Sequence, residues 1–320
     1  MYFLSQEERK YVLRKLLPEA RQHSVVEELR GWNWHQPPLS PVYQPTLGVY
    51  EIAGQYCPTG RDIYLRHVHK VKAPPNPAMI EGSLLHNIVA RILIESKRTI
   101  YRTGPQCVDT LEQMELDWAT IDWPPKDTIS QEMKDKATAL WRFERRRIVA
   151  RVEEVFSQQP HIGLDGLVAL ALPVIVEQRL DGRFLGLSGH LSVDAFHLAE
   201  PMVVDIKFGE PRDFHRLTTT GYALVLESLY EYPVTLGCIV YPNYRNGQWT
   251  IERDFHIISD ELRQWFIDAR DERARLVEEE IDPGYPESCP KTCPFWTTCY
   301  PETSTSTPDR KKKQKAVSQI

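Results

Sequence analysis

Apolar residues recur along this chain at two periods, and the change between them divides it near residue 160. Before that point the recurrence is helical. Ser5-Gln-Glu-Glu8 reads as a capping box opening a helix that carries Tyr11, Leu13, Leu16 and Leu17. A second helical piece is expected over Val25–Arg30, and the proline-rich stretch Gln36–Pro45 then breaks regular structure. Glu51–Cys57 leads into a helix over Arg61–Val68, and Glu81–Ser96 is amphipathic at helical spacing. Gln131–Gln158 predicts a long charged helix whose Leu140, Trp141, Ile148, Val152 and Val155 share a buried face.

After residue 160 the runs become short and β-rich. Leu170–Leu180, Phe184–Leu187, Leu191–His197 and Met202–Phe208 read as strands separated by turn residues. Thr219–Tyr230 fits a helix, Thr235–Tyr241 a strand, and a second strand follows the Asn246-Gly247 turn as a hairpin. Asp260–Glu280 closes the pattern as a helix. The expected class is therefore α/β: a mixed sheet of four or five strands with a helix inserted, decorated by an N-terminal helical portion. No internal repeat is present. From Glu302 onward, Thr and Ser repeats followed by lysines predict a disordered basic tail over 301–320.

Composition changes this picture little. A hydrophobic share of 42% and a charged share of 26% are those of an ordinary globular protein. The longest apolar stretch, near Val168–Val176, is too short to span a bilayer, and the first ten residues lack the pattern of a secretion signal. No membrane partner is expected, and a cytoplasmic address is the default. The net charge of −5 does not announce a nucleic-acid binder, although a groove can be locally basic on an acidic protein.

Six cysteines in a reducing compartment make a disulfide framework a poor explanation. Three of them crowd into Cys289-Pro-Lys-Thr-Cys293-Pro-Phe-Trp-Thr-Thr-Cys299, the density of thiolates that a metal or cluster site needs on a short turned segment. A second constellation lies in the β region. Asp205 and Lys207 share one face of a strand while Ile206 faces the core, and Asp194 sits on the preceding strand across a short hairpin. Two close carboxylates coexist as anions when a cation lies between them, and oxygen ligands favour Mg²⁺ or Mn²⁺. The lysine would orient a water or balance charge on a phosphate. An Asp-x-Lys triplet alone is common, and an exposed cross-strand ion pair is the plain alternative. His86, four residues after Gly82 on an amphipathic helix, is a further candidate against the plain alternative of a core histidine.

In this order, Gly82…His86, Asp194, Asp205-Ile206-Lys207 and Tyr222, flanked by Cys57 and the C-terminal triplet, resemble the RecB-type PD-(D/E)XK nucleases that carry an iron–sulfur cluster. Within that group the chain is similar to the fourth core protein family of CRISPR adaptation. The segment Tyr56–Leu65 and the overall length resemble its longer type I-A variant. The resemblance implies a restriction-endonuclease-like core over 51–300 with a helical insertion near 100–160, after an N-terminal segment over 1–50. It implies that Asp194, Asp205, His86 and the carbonyl of Ile206 hold Mg²⁺ or Mn²⁺, and that Lys207 is catalytic with Asp194 and Asp205. It further implies that Tyr222 contacts DNA and that Cys57, Cys289, Cys293 and Cys299 bind a [4Fe–4S] cluster as a C-terminal clasp. Thr218 stands where the family has glutamine, and the first two cysteines of the triplet are one residue further apart than usual, which leaves a [2Fe–2S] cluster or zinc open.

The function so implied is metal-dependent exonuclease action on DNA ends, single-stranded ends or overhangs, in prespacer processing beside the CRISPR spacer integrase complex. A homo-oligomer stays open. Two other readings stay open as well: a non-catalytic DNA-binding scaffold of the adaptation complex, and a DNA-repair exonuclease of the same clan.

Several smaller candidates remain in the sequence. His67-Val-His69 reads as a pair of surface histidines, and Glu177 as a third carboxylate with a structural or hydrogen-bonding role. Cys107 and Cys238 read as a loop thiol and a core thiol. The arginines from Arg142 to Arg151 would line a DNA path or form a solvated face balanced by Glu144, Glu153 and Glu154.

Overall fold

A computed structural model describes residues 1–121 and 123–301. The expected disordered tail lies outside the described residues, apart from its first residue. The sheet has five strands: β1 (Val174–Leu180), β2 (Leu191–His197), β3 (Met202–Ile206), β4 (Leu236–Arg245) and β5 (Gln248–Ile257). They lie side by side in chain order, and only the β3–β4 pair is parallel. The crossover between those two is the helix α9 (Arg216–Tyr230), since a parallel connection needs a segment of that length. The protein is thus a mixed α/β structure.

Alternation along β3 shows how the sheet is covered. Met202, Val204 and Ile206 join a core with α5 (Pro77–Thr103) and α7 (Gln131–Gln158), whereas Val203 joins a second core with α9 and α10 (Asp260–Glu278). Both faces are therefore buried, which explains why every residue of β3 is inaccessible. The first twenty residues belong to the former core through Tyr2, Phe3, Val12 and Leu16.

The elements form where their local signals are complete. The capping box at Ser5 is present and opens α1 (Gln6–Tyr11), which continues through a π-helical turn, Val12–Leu16, into α2 (Leu17–Gln22). That helix buries Leu16 and Leu17 but leaves Tyr11 and Leu13 exposed. On α7, Met133, Ala137, Leu140, Trp141, Ile148 and Val152 return every three or four residues, and the Ser130 hydroxyl caps the Met133 amide. Glu144 falls in the same buried stripe, where the Met1 amino group and Arg147 neutralise it. Arg145 and Arg151 are likewise tied to Glu115 and Glu154, so these three arginines belong to ion pairs.

Five expectations need revision. The apolar run from Leu170 is not one strand: α8 (Leu164–Ala171) takes its start, and β1 begins only after Pro173. Phe184–Leu187 is not a strand either. The Asp181 carboxylate accepts from the Arg183 amide and starts a 3₁₀ turn, Arg183–Leu185, which Gly186 ends at φ +69°. Val25–Arg30 shrinks to the single 3₁₀ turn Glu27–Leu29. Cys107 is a core thiol at the start of α6 (Cys107–Glu112), not a loop thiol. Finally, α5 is longer than its amphipathic centre because Asn76 caps it ahead of Pro77. The stretch Pro77–Glu112 is long and apolar enough by composition to cross a membrane, but here Leu84, Leu85, Ile88, Val89 and Ile92 pack in the core.

Candidate active site and cysteine cluster

The recorded ladder between β2 and β3 runs from His197–Met202 to Ala195–Val204 and stops. The next positions along are Asp194 and Asp205, so both carboxylates stand where the two strands part. Ile206 closes the fork by donating its amide to Asp194 Oδ2 at 3.2 Å. His86, on α5, places Nδ1 3.2 Å from the same oxygen. Its ring packs edge-on to Phe208 at 5.2 Å. Lys207 Nζ lies 2.9 Å from Asp205 Oδ2.

Burial and mutual charge set the protonation of these groups. Asp205 is 4% exposed, and burial, reinforced by the Asp194 charge and partly offset by Lys207, pushes its carboxyl up to about 6. Burial pushes Asp194 the same way, but His86 and then Lys207 outweigh it and hold Asp194 below the usual carboxylate range. Burial alone would strip the proton from His86 and Lys207; Asp194 raises the former and Asp205 the latter above their ordinary values. Lys207 is thus held as a cation beside Asp205, and the His86 ring beside Asp194 takes up a proton more readily than a free imidazole.

Glu177 also approaches. The register pairs Val176 with Ala195 and Gln178 with Val193, so Glu177 lies across from Asp194. Its backbone is left-handed, at φ +51°, and its carboxylate accepts from the Ser192 hydroxyl at 3.0 Å. Tyr222 sits beneath the fork, 9% exposed, with its hydroxyl donated to the Ser192 carbonyl at 2.6 Å. Burial and the nearby carboxylates raise that phenol far above its ordinary value. In this structure Tyr222 therefore braces β2 from below. Thr218, four residues earlier on α9, is buried and lines the cleft beside the site.

The four cysteines outside the cores come from two distant places. Cys57 lies between α3 (Val49–Ala53) and α4 (Arg61–His67), and Cys289, Cys293 and Cys299 follow α10, the last within α11 (Trp296–Cys299). All four are half-buried. Burial, with Cys293 as hydrogen-bond partner and Cys57 and Cys299 as further neighbours, pushes the Cys289 thiol up to about 11. Four thiols are thus brought within electrostatic reach across more than two hundred residues of sequence. A single cleft of about 680 Å³ is lined by Cys57, Cys289 and Cys293 at one part and by His86, Ile206 and Lys207 at another.

Among the described residues, no three His, Cys, Asp or Glu side chains already stand at metal-ligating spacing. The fork donors are paired within the protein instead, His86 with Asp194 and Lys207 with Asp205. In kind they suit a hard divalent cation: two carboxylates, one imidazole, and a buried Asp205 Oδ2 that has no hydrogen-bond donor at proper geometry despite the nearby ammonium. Four clustered thiols suit a cluster or zinc in the same sense.

Some site residues gave no sequence signal. Tyr56 Oη lies 2.9 Å from His215 Nε2, and His215 Nδ1 lies 3.1 Å from Tyr241 Oη. Partners 159 residues apart cannot be read from spacing. Burial, then Lys207 and Arg212, push the His215 ring down to about 4, so it is neutral. His67 is half-buried and bonded to Glu51, whereas His69 is exposed and bonded to the Tyr64 hydroxyl, so the two histidines have different partners.

Comparison with known proteins places the chain among nucleases. It belongs to the CRISPR-associated exonuclease Csa1 family, whose model matches residues 1–302. It is similar to a CRISPR-associated exonuclease Csa1 of Saccharolobus solfataricus, 32% identical over 286 residues, covering 87% of this chain and 93% of the relative. A second Csa1, from Thermoproteus tenax, is 30% identical over 275 residues, covering 86% and 91%.

Proposed function

We propose that the chain is a Mg²⁺- or Mn²⁺-dependent exonuclease of PD-(D/E)XK type that trims single-stranded DNA ends during CRISPR spacer acquisition, beside the spacer integrase. The observation that carries this reading is the fork: two carboxylates, a lysine and a histidine, brought together from β2, β3 and α5 and opening on one cleft.

Asp194, Asp205, His86 and the carbonyl of Ile206 would hold the cation. When bound, it supplies charge neutralisation at a phosphate and eases deprotonation of a water. Lys207 is kept charged by Asp205 and is placed to balance negative charge developing on a phosphate oxygen. Tyr222, through the Ser192 carbonyl, and the Ile206 amide, through the Asp194 carboxylate, fix the position of β2 so that Asp194 does not swing away. Cys57, Cys289, Cys293 and Cys299 would bind a [4Fe–4S] cluster that pins the C-terminal segment to the start of α4. Its role in this reading is structural, closing one end of the cleft.

The test is cleavage of end-labelled single-stranded DNA by anaerobically purified protein with Mn²⁺. Asp205→Ala and Lys207→Ala should each lose cleavage while keeping their fold and iron content. Full activity in both variants would refute the assignment.

A further inference from the structure

A helical glycine with no packing reason points to a ligand. Gly82 lies inside α5, one turn before His86, and lines the cleft. A Cβ added there meets no atom within 4 Å. The glycines inside the other α-helices are packed: a Cβ at Gly221 on α9 would strike Phe266 at 2.5 Å, and one at Gly166 on α8 would meet Ile162 at 2.9 Å. Glycine is the poorest helix former after proline, and at Gly82 its use leaves open space on the helix face that lines the cleft.

Two unusually open aromatic rings line the same cleft. Tyr50 on α3 and Tyr56 before Cys57 are 64% and 67% exposed. Both are nevertheless held: the Tyr56 hydroxyl by His215 and its ring edge-on to Phe214 at 5.0 Å, the Tyr50 hydroxyl by Arg66 at 3.4 Å. Arg66, Arg212 and Lys207 add positive charge along the lining. Of the acidic lining residues, Glu51 is countered by Arg66 and His67, Asp62 faces Arg273, and Glu210 is exposed.

We propose that this cleft seats an unpaired nucleic-acid strand, its sugar–phosphate backbone passing over Gly82 and its bases stacking on Tyr50 and Tyr56. The inference rests on the nuclease reading only for what happens next, the delivery of the strand's end to Lys207. Stacking on a tyrosine needs a free base face, which a duplex gives to its own neighbours, so the rings select frayed or single-stranded ends. Close approach of a backbone needs the space that a side chain at position 82 would fill.

Binding of fluorescent oligo-dT to the full chain, measured in EDTA so that cleavage plays no part, tests this. Gly82→Ala should melt higher than wild type and yet bind roughly tenfold more weakly. Tyr50→Ala and Tyr56→Ala should each lose roughly tenfold, whereas Tyr56→Phe, which keeps the ring but not the His215 contact, should bind as wild type does. An abasic strand should bind wild type and Tyr56→Ala equally. Unchanged binding in Gly82→Ala and both alanine variants overturns the proposal, as does an abasic strand that still distinguishes Tyr56→Ala. The two readings fail separately. Cleavage that survives Asp205→Ala and Lys207→Ala sinks the nuclease assignment but leaves the strand seat standing if the tyrosine variants lose binding.

Discussion

Around Asp205 the functional groups come from two strands and a long helix, elements buried on both sides. Around Cys57 they come from a seven-residue turn between helices and from the segment after α10, with half-buried thiols and few regular hydrogen bonds. Both regions line one cleft, yet they are held by different means. At the fork the protein supplies partners for its own carboxylates, His86 for Asp194 and Lys207 for Asp205. The cysteine region has a small apolar cluster of its own, Tyr64, Leu65 and Phe295, and burial, with the neighbouring thiols after it, pushes the proton affinity of Cys289 up. The contrast teaches that chemistry and closure are separable: one site is set by the sheet, the other by loop segments packed on a small apolar cluster.

The largest expected effect breaks the fork alone. In the proposed reading, Asp205→Ala removes a ligand of the cation and Lys207→Ala a group placed to balance charge on the phosphate, so each should lower cleavage at least a hundredfold to a thousandfold, as roughly expected for loss of one preorganised electrostatic partner. Urea unfolding should change little, because Asp205 is a buried carboxylate whose removal also removes a desolvation cost. A variant that lost cleavage only by unfolding would show that the fork does not stand apart from the fold.

The next effect breaks the closure alone. In the proposed reading, a cluster bridging Cys57 to a segment more than two hundred residues away would remove unfolded-chain entropy on the order of 5 kcal/mol, by analogy with a long disulfide loop. Cys57→Ser, or removal of iron by a chelator, should therefore lower the melting temperature by many degrees. It should also open residues 282–301 to proteolysis while β2 and β3 stay protected. Equal exposure of both regions would show that the clasp and the sheet unfold as one unit.

Acid should act on the sheet side instead. His256, on β5, hydrogen-bonds Thr219 on α9, and burial, reinforced by Arg216 and partly offset by Asp254, pushes its ring down to about 4. The folded value is depressed below the ordinary 6.5, so the neutral ring favours folding above 6.5, and that contribution is lost as pH falls toward 4. The loss amounts to about 3 kcal/mol, at 1.36 kcal/mol per unit. Denaturation curves between these pH values should show a shallower slope in His256→Gln, whereas Cys57→Ser should leave the slope unchanged.

These effects follow how much of each region was legible from sequence. Helix α7 was readable to its last residue because its buried stripe is apolar at every position but Glu144 and Ser130 caps it. Strand β2 was equally clear, since turn residues bound it on both sides. Leu170–Leu180 misled because an apolar run has no period of its own, and only Pro173 marks where helix yields to strand. At the fork, alternation along β3 was enough to put Asp205 and Lys207 together, and the short hairpin enough to bring Asp194 near. The contact between His86 and Asp194 is tertiary and could be expected only from resemblance. Tyr222 shows the limit of that route: the family role suggests a DNA contact, while the side chain here is buried under β2. The partnership of Tyr56 with His215 left no trace in spacing or composition.

The smallest effect probes strain at the edge of the fork. Glu177 holds a left-handed backbone in the middle of β1, a conformation that costs a side-chain-bearing residue roughly 1–3 kcal/mol. Its carboxylate also faces Asp194, and burial together with that charge raises its proton affinity. Glu177→Gly relieves both terms, since glycine adopts positive φ freely, and gives up only the hydrogen bond from the Ser192 hydroxyl, worth about 1 kcal/mol. The variant should therefore gain stability, by roughly 1 kcal/mol in urea, although most substitutions in a sheet destabilise. A loss of stability instead would mean that the Ser192–Glu177 bond holds β1 against β2. In that case the fork would depend on its edge strand as the cysteine region depends on its ligand, and the distinction between the two regions would be one of degree.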